Sequence, residues 1–174
     1  MTRAPADERK ARALRMLLVS ATPQVTEQVT TGLAGRTDLD VTQVATPQRA
    51  LQQLDDEGPF DVVVGDNDTH PTGGFYLARE VAARRAVGRA VPPVVLLIAR
   101  SQDAWLSDWA QADAWVQKPV DPFDLAETID ALVAGREVPE LPGVGGAPRE
   151  SFLGDTTAVP VGRGDAAGGG QGPG

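Results

Sequence analysis

Short apolar runs recur along the first 135 residues, and each is followed by a longer stretch with helical periodicity. The runs are Met16-Leu17-Leu18-Val19, Val62-Val63-Val64 and Val94-Val95-Leu96-Leu97-Ile98, with a shorter Trp115-Val116. A strand that is apolar on both faces must be covered on both faces, as in the interior of a parallel sheet. Val41-Thr42-Gln43-Val44 is more mixed and reads as an edge strand.

The intervening stretches carry their own start and stop signals. Thr22-Pro23, Thr46-Pro47 and Asp121-Pro122 each combine a capping side chain with a proline at the first helical position. Val25, Val29 and Leu33 repeat at i, i+4 and i+8. Ala50, Leu51 and Leu54, then Leu77, Ala78, Val81 and Ala82, then Leu125, Ile129, Leu132 and Val133 give similar stripes. Ser101 leads into a further helix carrying Trp105, Leu106 and Trp109, with Leu106 expected to enter the core. Gly35, Gly58, Gly88 and Gly135 fall where these helices should stop. Five βα units in series predict an α/β, flavodoxin-like, doubly wound sheet of five parallel strands in the order 2-1-3-4-5.

This domain is expected over residues 14–135. Residues 1–13 read as a polar, disordered arm. From Arg136 to Gly174, 11 of 39 residues are glycine and 5 are proline. That composition predicts a disordered tail, with no output domain following. The Arg163-Gly164-Asp165 tripeptide within it reads as a chance occurrence. A net charge of −8 argues against nucleic acid as partner, because phosphate binding needs a basic surface. With no cysteine, thiolate metal sites and a cysteine nucleophile are excluded. Neither a secretory signal nor an 18-residue apolar run is visible, so a cytoplasmic location without membrane insertion is expected.

Ligands of such sheets gather at the carboxyl ends of the strands. The third strand runs there into Gly65-Asp66-Asn67-Asp68-Thr69-His70-Pro71-Thr72-Gly73-Gly74. Taken with Phe60-Asp61-Val62-Val63-Val64 before it, and with Gln117-Lys118-Pro119-Val120-Asp121-Pro122-Phe123 after the fifth strand, this segment resembles the receiver domains of bacterial response regulators. The resemblance implies that Asp66 is the phosphoacceptor position and Lys118 its paired lysine. It implies a cis bond before Pro119. It also implies an acidic pair for Mg²⁺ after the first strand, where this chain has Ser20-Ala21, and a hydroxyl ending the fourth strand, where it has Ile98. The switch aromatic, three residues before the lysine, corresponds to Trp115.

These departures bear on chemistry. Phosphoryl transfer to a carboxylate depends on positioning and on neutralising charge on the transferred oxygens. Mg²⁺ is held through one or two carboxylates with waters and phosphate. Ser20 and Ala21 bring no charge, so Asp66 is left with Asp68 as its only acidic help and Lys118 as its direct ion-pair partner. Ile98 offers no hydrogen bond. The expectation is a degenerate receiver that is not an enzyme, holds no cofactor and acts by binding another protein. Phosphorylation of Asp66 by a histidine kinase is the alternative. A remoter one is a cobalamin or flavin carrier: Asp68-Thr69-His70-Pro71-Thr72-Gly73 fits D-x-H-x-x-G, and Ser20 to Thr26 carries hydroxyls suited to a flavin phosphate.

Asp55-Asp56-Glu57 reads as a solvated helix end, and Arg84-Arg85 as an exposed helix face. The tryptophans are more informative. Trp105 and Trp109 are an i, i+4 pair on one helix face, and Trp115 follows within the same eleven residues. Tryptophan is a common interface anchor, so these three form the candidate partner surface. The segment Asp103 to Trp109, with Val120-Asp121-Pro122, resembles a small group of actinobacterial stand-alone receivers encoded with the proton-pumping NADH dehydrogenase, respiratory complex I. That resemblance implies subunits of this complex as partners, on its cytoplasmic arm.

Overall fold

A computed structural model describes residues 12–35 and 38–146. Six strands, β1 (Leu14–Val19), β2 (Leu39–Val44), β3 (Val62–Asp66), β4 (Val94–Ile98), β5 (Ala114–Gln117) and β6 (Val144–Gly146), form one sheet in the order β2-β1-β3-β4-β5-β6. Five α-helices are present: α1 (Pro23–Leu33), α2 (Pro47–Asp56), α3 (Gly73–Ala86), α4 (Ala104–Trp109) and α5 (Pro122–Val133). The pairings among β1 to β5 are parallel, while β6 runs antiparallel to β5.

Successive strand side chains point to opposite faces, so each apolar run feeds two cores. Met16, Leu18, Val62, Val64, Val95 and Leu97 pack under α1 and α5, against Val25, Val29, Leu125 and Ile129. Leu17, Val19, Val63, Leu96 and Ile98 pack against α2 and α3, through Leu51, Leu77 and Val81. Every residue of β3 and β4 is buried. Truncating one of these leucines to alanine costs about 2–5 kcal/mol, since close-packed surroundings collapse only in part.

The sequence expectations need four corrections. The sheet has six strands rather than five, because Val144, Gly145 and Gly146 pair with Val116, Trp115 and Ala114. Residues 136–146 therefore pack on the domain; the rest of the expected tail, and residues 1–11 of the expected arm, lie outside the described residues, whereas Arg12 bonds Asp61 at 2.9 Å. Thr46 and Asp121 cap their helices as expected, accepting from Arg49 N at 3.2 Å and from Phe123 N and Asp124 N at 2.8 and 3.1 Å. Thr22 makes no such cap, and the hydroxyl of Ser20 accepts from the Thr22 N–H instead. In α4 it is Ser107 that is fully buried, while Leu106 is only half-buried. A 3₁₀ turn at Ser101–Asp103 precedes that helix.

The charged pairs also do more than face water. Asp55 accepts from both Arg84 and Arg89, and Arg85 pairs with Asp113 at 3.3 Å. The Arg84 hydrogen bond, joined by Arg89, holds the Asp55 carboxyl below its ordinary pKa despite opposing desolvation. Among the described residues, no helix is long and apolar enough to cross a membrane.

Candidate functional site at the ends of β1, β3 and β5

Asp66 closes β3, and its side chain is almost completely buried. The ladder continues past the strand ends through Asn67 N to Leu97 O at 2.9 Å and Lys118 N to Ile98 O at 2.7 Å. This fixes the backbone on both sides of the carboxylate. Asn67 closes the loop that follows: its Oδ1 accepts from Phe75 N at 3.2 Å, capping the first turn of α3, where Thr72 makes no cap. Gly74 lets that turn approach, since a Cβ there would stand 3.0 Å from Leu96 and 3.1 Å from the Asn67 Cα. The capping role of Asn67 acts across eight residues, which is why periodicity did not reveal it.

Both oxygens of Asp66 are occupied by donors from the protein. Oδ1 accepts from Lys118 Nζ at 2.8 Å and from Asp68 N at 3.1 Å. Oδ2 accepts from Ser20 Oγ at 3.1 Å. Lys118 Nζ also donates to Asp68 Oδ2, so a single ammonium bridges two carboxylates. Burial lowers the lysine's proton affinity, yet its hydrogen bonds and charge interactions with Asp66 and Asp68 outweigh this and raise its pKa above 10.5. The lysine therefore stays charged through the physiological range. The peptide bond between Lys118 and Pro119 is cis.

The structure thus gathers Asp66, Lys118, Asp68 and Ser20 into one hydrogen-bonded group. Ala21 is exposed beside it, and the Ile98 side chain is buried in the core under α2 and α3. A Mg²⁺ ion wants oxygen ligands in near-octahedral array. The oxygens of Asp66 already serve an ammonium, a hydroxyl and a backbone N–H. Among the described residues, no cluster of three His, Cys, Asp or Glu side chains could hold a metal. Both carboxylates of the group, Asp66 and Asp68, are bonded to Lys118, and neither Ser20 nor Ala21 adds a third. His70 is exposed and takes no part in the network. Of the hydroxyls from Ser20 to Thr26, Ser20 Oγ donates to Asp66, and Thr26 Oγ1 on α1 donates to Thr22 O and accepts from Gln43 Nε2 at 3.0 Å.

The tryptophans form a second feature. Trp105 is 64% and Trp109 56% exposed, on a common face of α4. The Arg79 guanidinium of α3 stacks 4.2 Å from the Trp109 ring centroid. Trp115 differs: it lies on β5, half-buried against the α2–α3 core, with Gly145 of β6 beneath its ring.

No family model matches the chain. Two uncharacterized response regulatory proteins, from the CDC 1551 and H37Rv strains of Mycobacterium tuberculosis, are each 35% identical to it over 126 residues, spanning 70% of this chain and 92% of theirs. The fold is similar to a CheY-like response regulator receiver domain protein from Methanospirillum hungatei, at TM-score 0.60 and 21% identity over 71% of this chain and 96% of that one. It is also similar to the Ssk1 receiver domain of Saccharomyces cerevisiae, solved with the phosphotransfer protein Ypd1. There the TM-score is 0.63 at 16% identity, over 70% of this chain and 90% of that one. The relatives, the parallel sheet and the buried aspartate–lysine pair agree, and the chain belongs to the response regulator receiver family.

Proposed function

We propose that this receiver is a pseudo-receiver, a non-enzymatic protein-binding module whose aspartate pocket is internally neutralised. The observation that carries this reading is the bridging of Asp66 and Asp68 by Lys118, with Ser20 Oγ on the remaining oxygen of Asp66. Phosphoryl transfer needs positive charge placed on the transferred oxygens. Here the lysine is already committed to two carboxylates, position 98 has no hydroxyl, and positions 20 and 21 add no negative charge for a metal.

The working surface is the α4 face bearing Trp105 and Trp109, with Arg79 beside it. Such residues are common anchors of protein interfaces. The resemblance of Asp103 to Trp109 to stand-alone receivers encoded with respiratory complex I supports subunits of that NADH dehydrogenase as partners. The protein would then lie in the cytoplasm at the membrane periphery, held there by the complex. A pull-down from native membranes tests this reading. Asp66→Asn should retain the partner, and Trp109→Ala should weaken it by about 2 kcal/mol or more, as expected for a hot spot. The reverse pattern would move the working surface to the pocket.

A second reading, a phosphoacceptor in a two-component relay, is favoured by the 2.8 Å Asp66–Lys118 contact at the strand ends. Mass measurement of the intact chain after exposure to a small phosphodonor with Mg²⁺ separates the two. A stable adduct that Asp66→Asn abolishes would establish this second reading.

A further inference from the structure

Beside Trp109 lies a slot between α3 and the turn that joins α4 to β5. It is open to solvent on one side, has a volume of about 230 Å³, and is lined by Arg79, Ala82, Ala83, Ala86, Ala110 and Gln111. The exposed Trp109 ring and its stacked Arg79 border it. Arg79 makes no ion pair among the described residues.

The described chain ends next to this slot. Gly146 pairs with Ala114, and a Cβ at Gly146 would stand 3.5 Å from the Asp113 carbonyl. Asp113 is two peptide steps from Gln111 of the slot, at most about 7.6 Å. The Arg85–Asp113 ion pair brings the last turn of α3 to the same place. The sequence beyond Gly146 runs Ala147-Pro148-Arg149-Glu150-Ser151-Phe152-Leu153-Gly154-Asp155. Phe152 is the only aromatic residue in 147–174, and the adjacent Leu153 is the only leucine there. Phe152 is six peptide steps from Gly146, a reach of up to ~20 Å. Glu150 and Asp155 flank the apolar pair with charge opposite to that of Arg79, while Arg149 before them carries like charge.

We propose that residues 150–155 of the same chain dock on this face, with Phe152 in the alanine slot and Leu153 against Trp109. This cis contact presupposes that the tryptophan face is a docking surface, and it makes residues 150–155 a competitor for any outside partner. A short tether supplies an effective concentration on the order of millimolar, so a weak intrinsic contact is populated. A partner's apparent affinity then falls in proportion to the fraction of molecules left open.

The absence of cysteine makes the test direct. Ser151→Cys in the full-length protein takes a single nitroxide, and relaxation is read at the Trp109 indole N–H by NMR, with no partner added. The tether alone keeps the label in the neighbourhood, so the decisive comparison is with Phe152→Ala/Leu153→Ala in the same labelled chain. Docking predicts that this double substitution restores at least half of the lost Trp109 signal and shifts its resonance, while α1 signals on the opposite face stay unchanged. Broadening that ignores the substitution, or that falls equally on α1, would overturn the proposal. So would broadening of an isotope-labelled chain by the nitroxide of another, which would make the contact one between two copies. Because no partner enters, failure here leaves the pull-down reading standing, and failure of the pull-down leaves this contact to be judged alone.

Discussion

Trp115 lies so close to Gly145 that a Cβ on residue 145 would stand 2.5 Å from the indole Cε2 and Nε1. No side chain fits there unless the ring or the strand moves. Gly145→Val should dislodge β6 and cost about 1–3 kcal/mol, the usual range for overpacking. Urea unfolding followed by tryptophan fluorescence measures both the midpoint and the altered setting of Trp115. An unchanged midpoint and an unchanged spectrum would mean that β6 contributes nothing to the domain.

The Asp66–Lys118 pair should behave as a coupled unit. Lys118→Met leaves a buried carboxylate with only Ser20 Oγ and one backbone N–H, and should destabilise the domain by about 2–3 kcal/mol, less than a wholly water-free pair would lose. Asp66→Asn/Lys118→Met removes the stranded charge and should recover most of that loss. A double-mutant cycle measures the coupling, and strict additivity would show that the two groups do not sense each other.

The same pair sets a dependence on alkaline pH. The folded pKa of Lys118 is raised above 10.5, so the folded state holds this proton more tightly than the unfolded chain. The stabilisation is fully present below the unfolded pKa and is lost as pH rises through the folded value. Thermal melts should therefore show the wild type losing stability above about pH 10, the ordinary lysine range. Lys118→Met should lose less over the same interval. Parallel curves would assign the alkaline loss to other groups.

Under the pseudo-receiver proposal, adding carboxylates and a hydroxyl around Asp66 should create phosphoacceptor chemistry. Ser20→Asp/Ala21→Asp adds two carboxylates beside Asp66, and Ile98→Thr adds a hydroxyl at the end of β4. We expect the triple variant to bind Mg²⁺ at least tenfold more tightly than the wild type by calorimetry, and to form a mass adduct on Asp66 with a phosphodonor. Equal Mg²⁺ affinity in the two proteins would show that the native pocket already has ligands enough.

The parts of the fold legible in the sequence are those whose physics is local or repetitive. β3 and β4 announce themselves by their runs Val62-Val63-Val64 and Val94 to Ile98, because strands covered on both faces are apolar along most of their length. Trp105 and Trp109 reveal a shared face by their spacing alone. Val144-Gly145-Gly146 gives no such signal, because glycine has poor strand propensity; the extended state there is imposed by the β5 backbone and by the ring above it. In α4 the small, polar Ser107 takes the buried position ahead of Leu106, an order that hydrophobicity does not suggest. Within the site, Asp66 and Lys118 could be placed by resemblance. The second bond from Lys118 to Asp68 and the clasp of Asn67 on Phe75 are three-dimensional facts that no spacing rule contains.

β6 also bears on how these molecules behave when crowded. An uncovered parallel strand offers a row of N–H and C=O groups on which a neighbour's backbone can grow, and natural sheets blunt such borders with very short strands. Here that border is finished by only three residues, two of them glycine, immediately after Pro142 and Gly143. The opposite border, β2, has six residues but carries Asp40, which is exposed and paired with Arg15. A strand added at β2 would have to tolerate the exposed charge of Asp40 and its partner Arg15, and one added at β6 would meet an edge of only three residues.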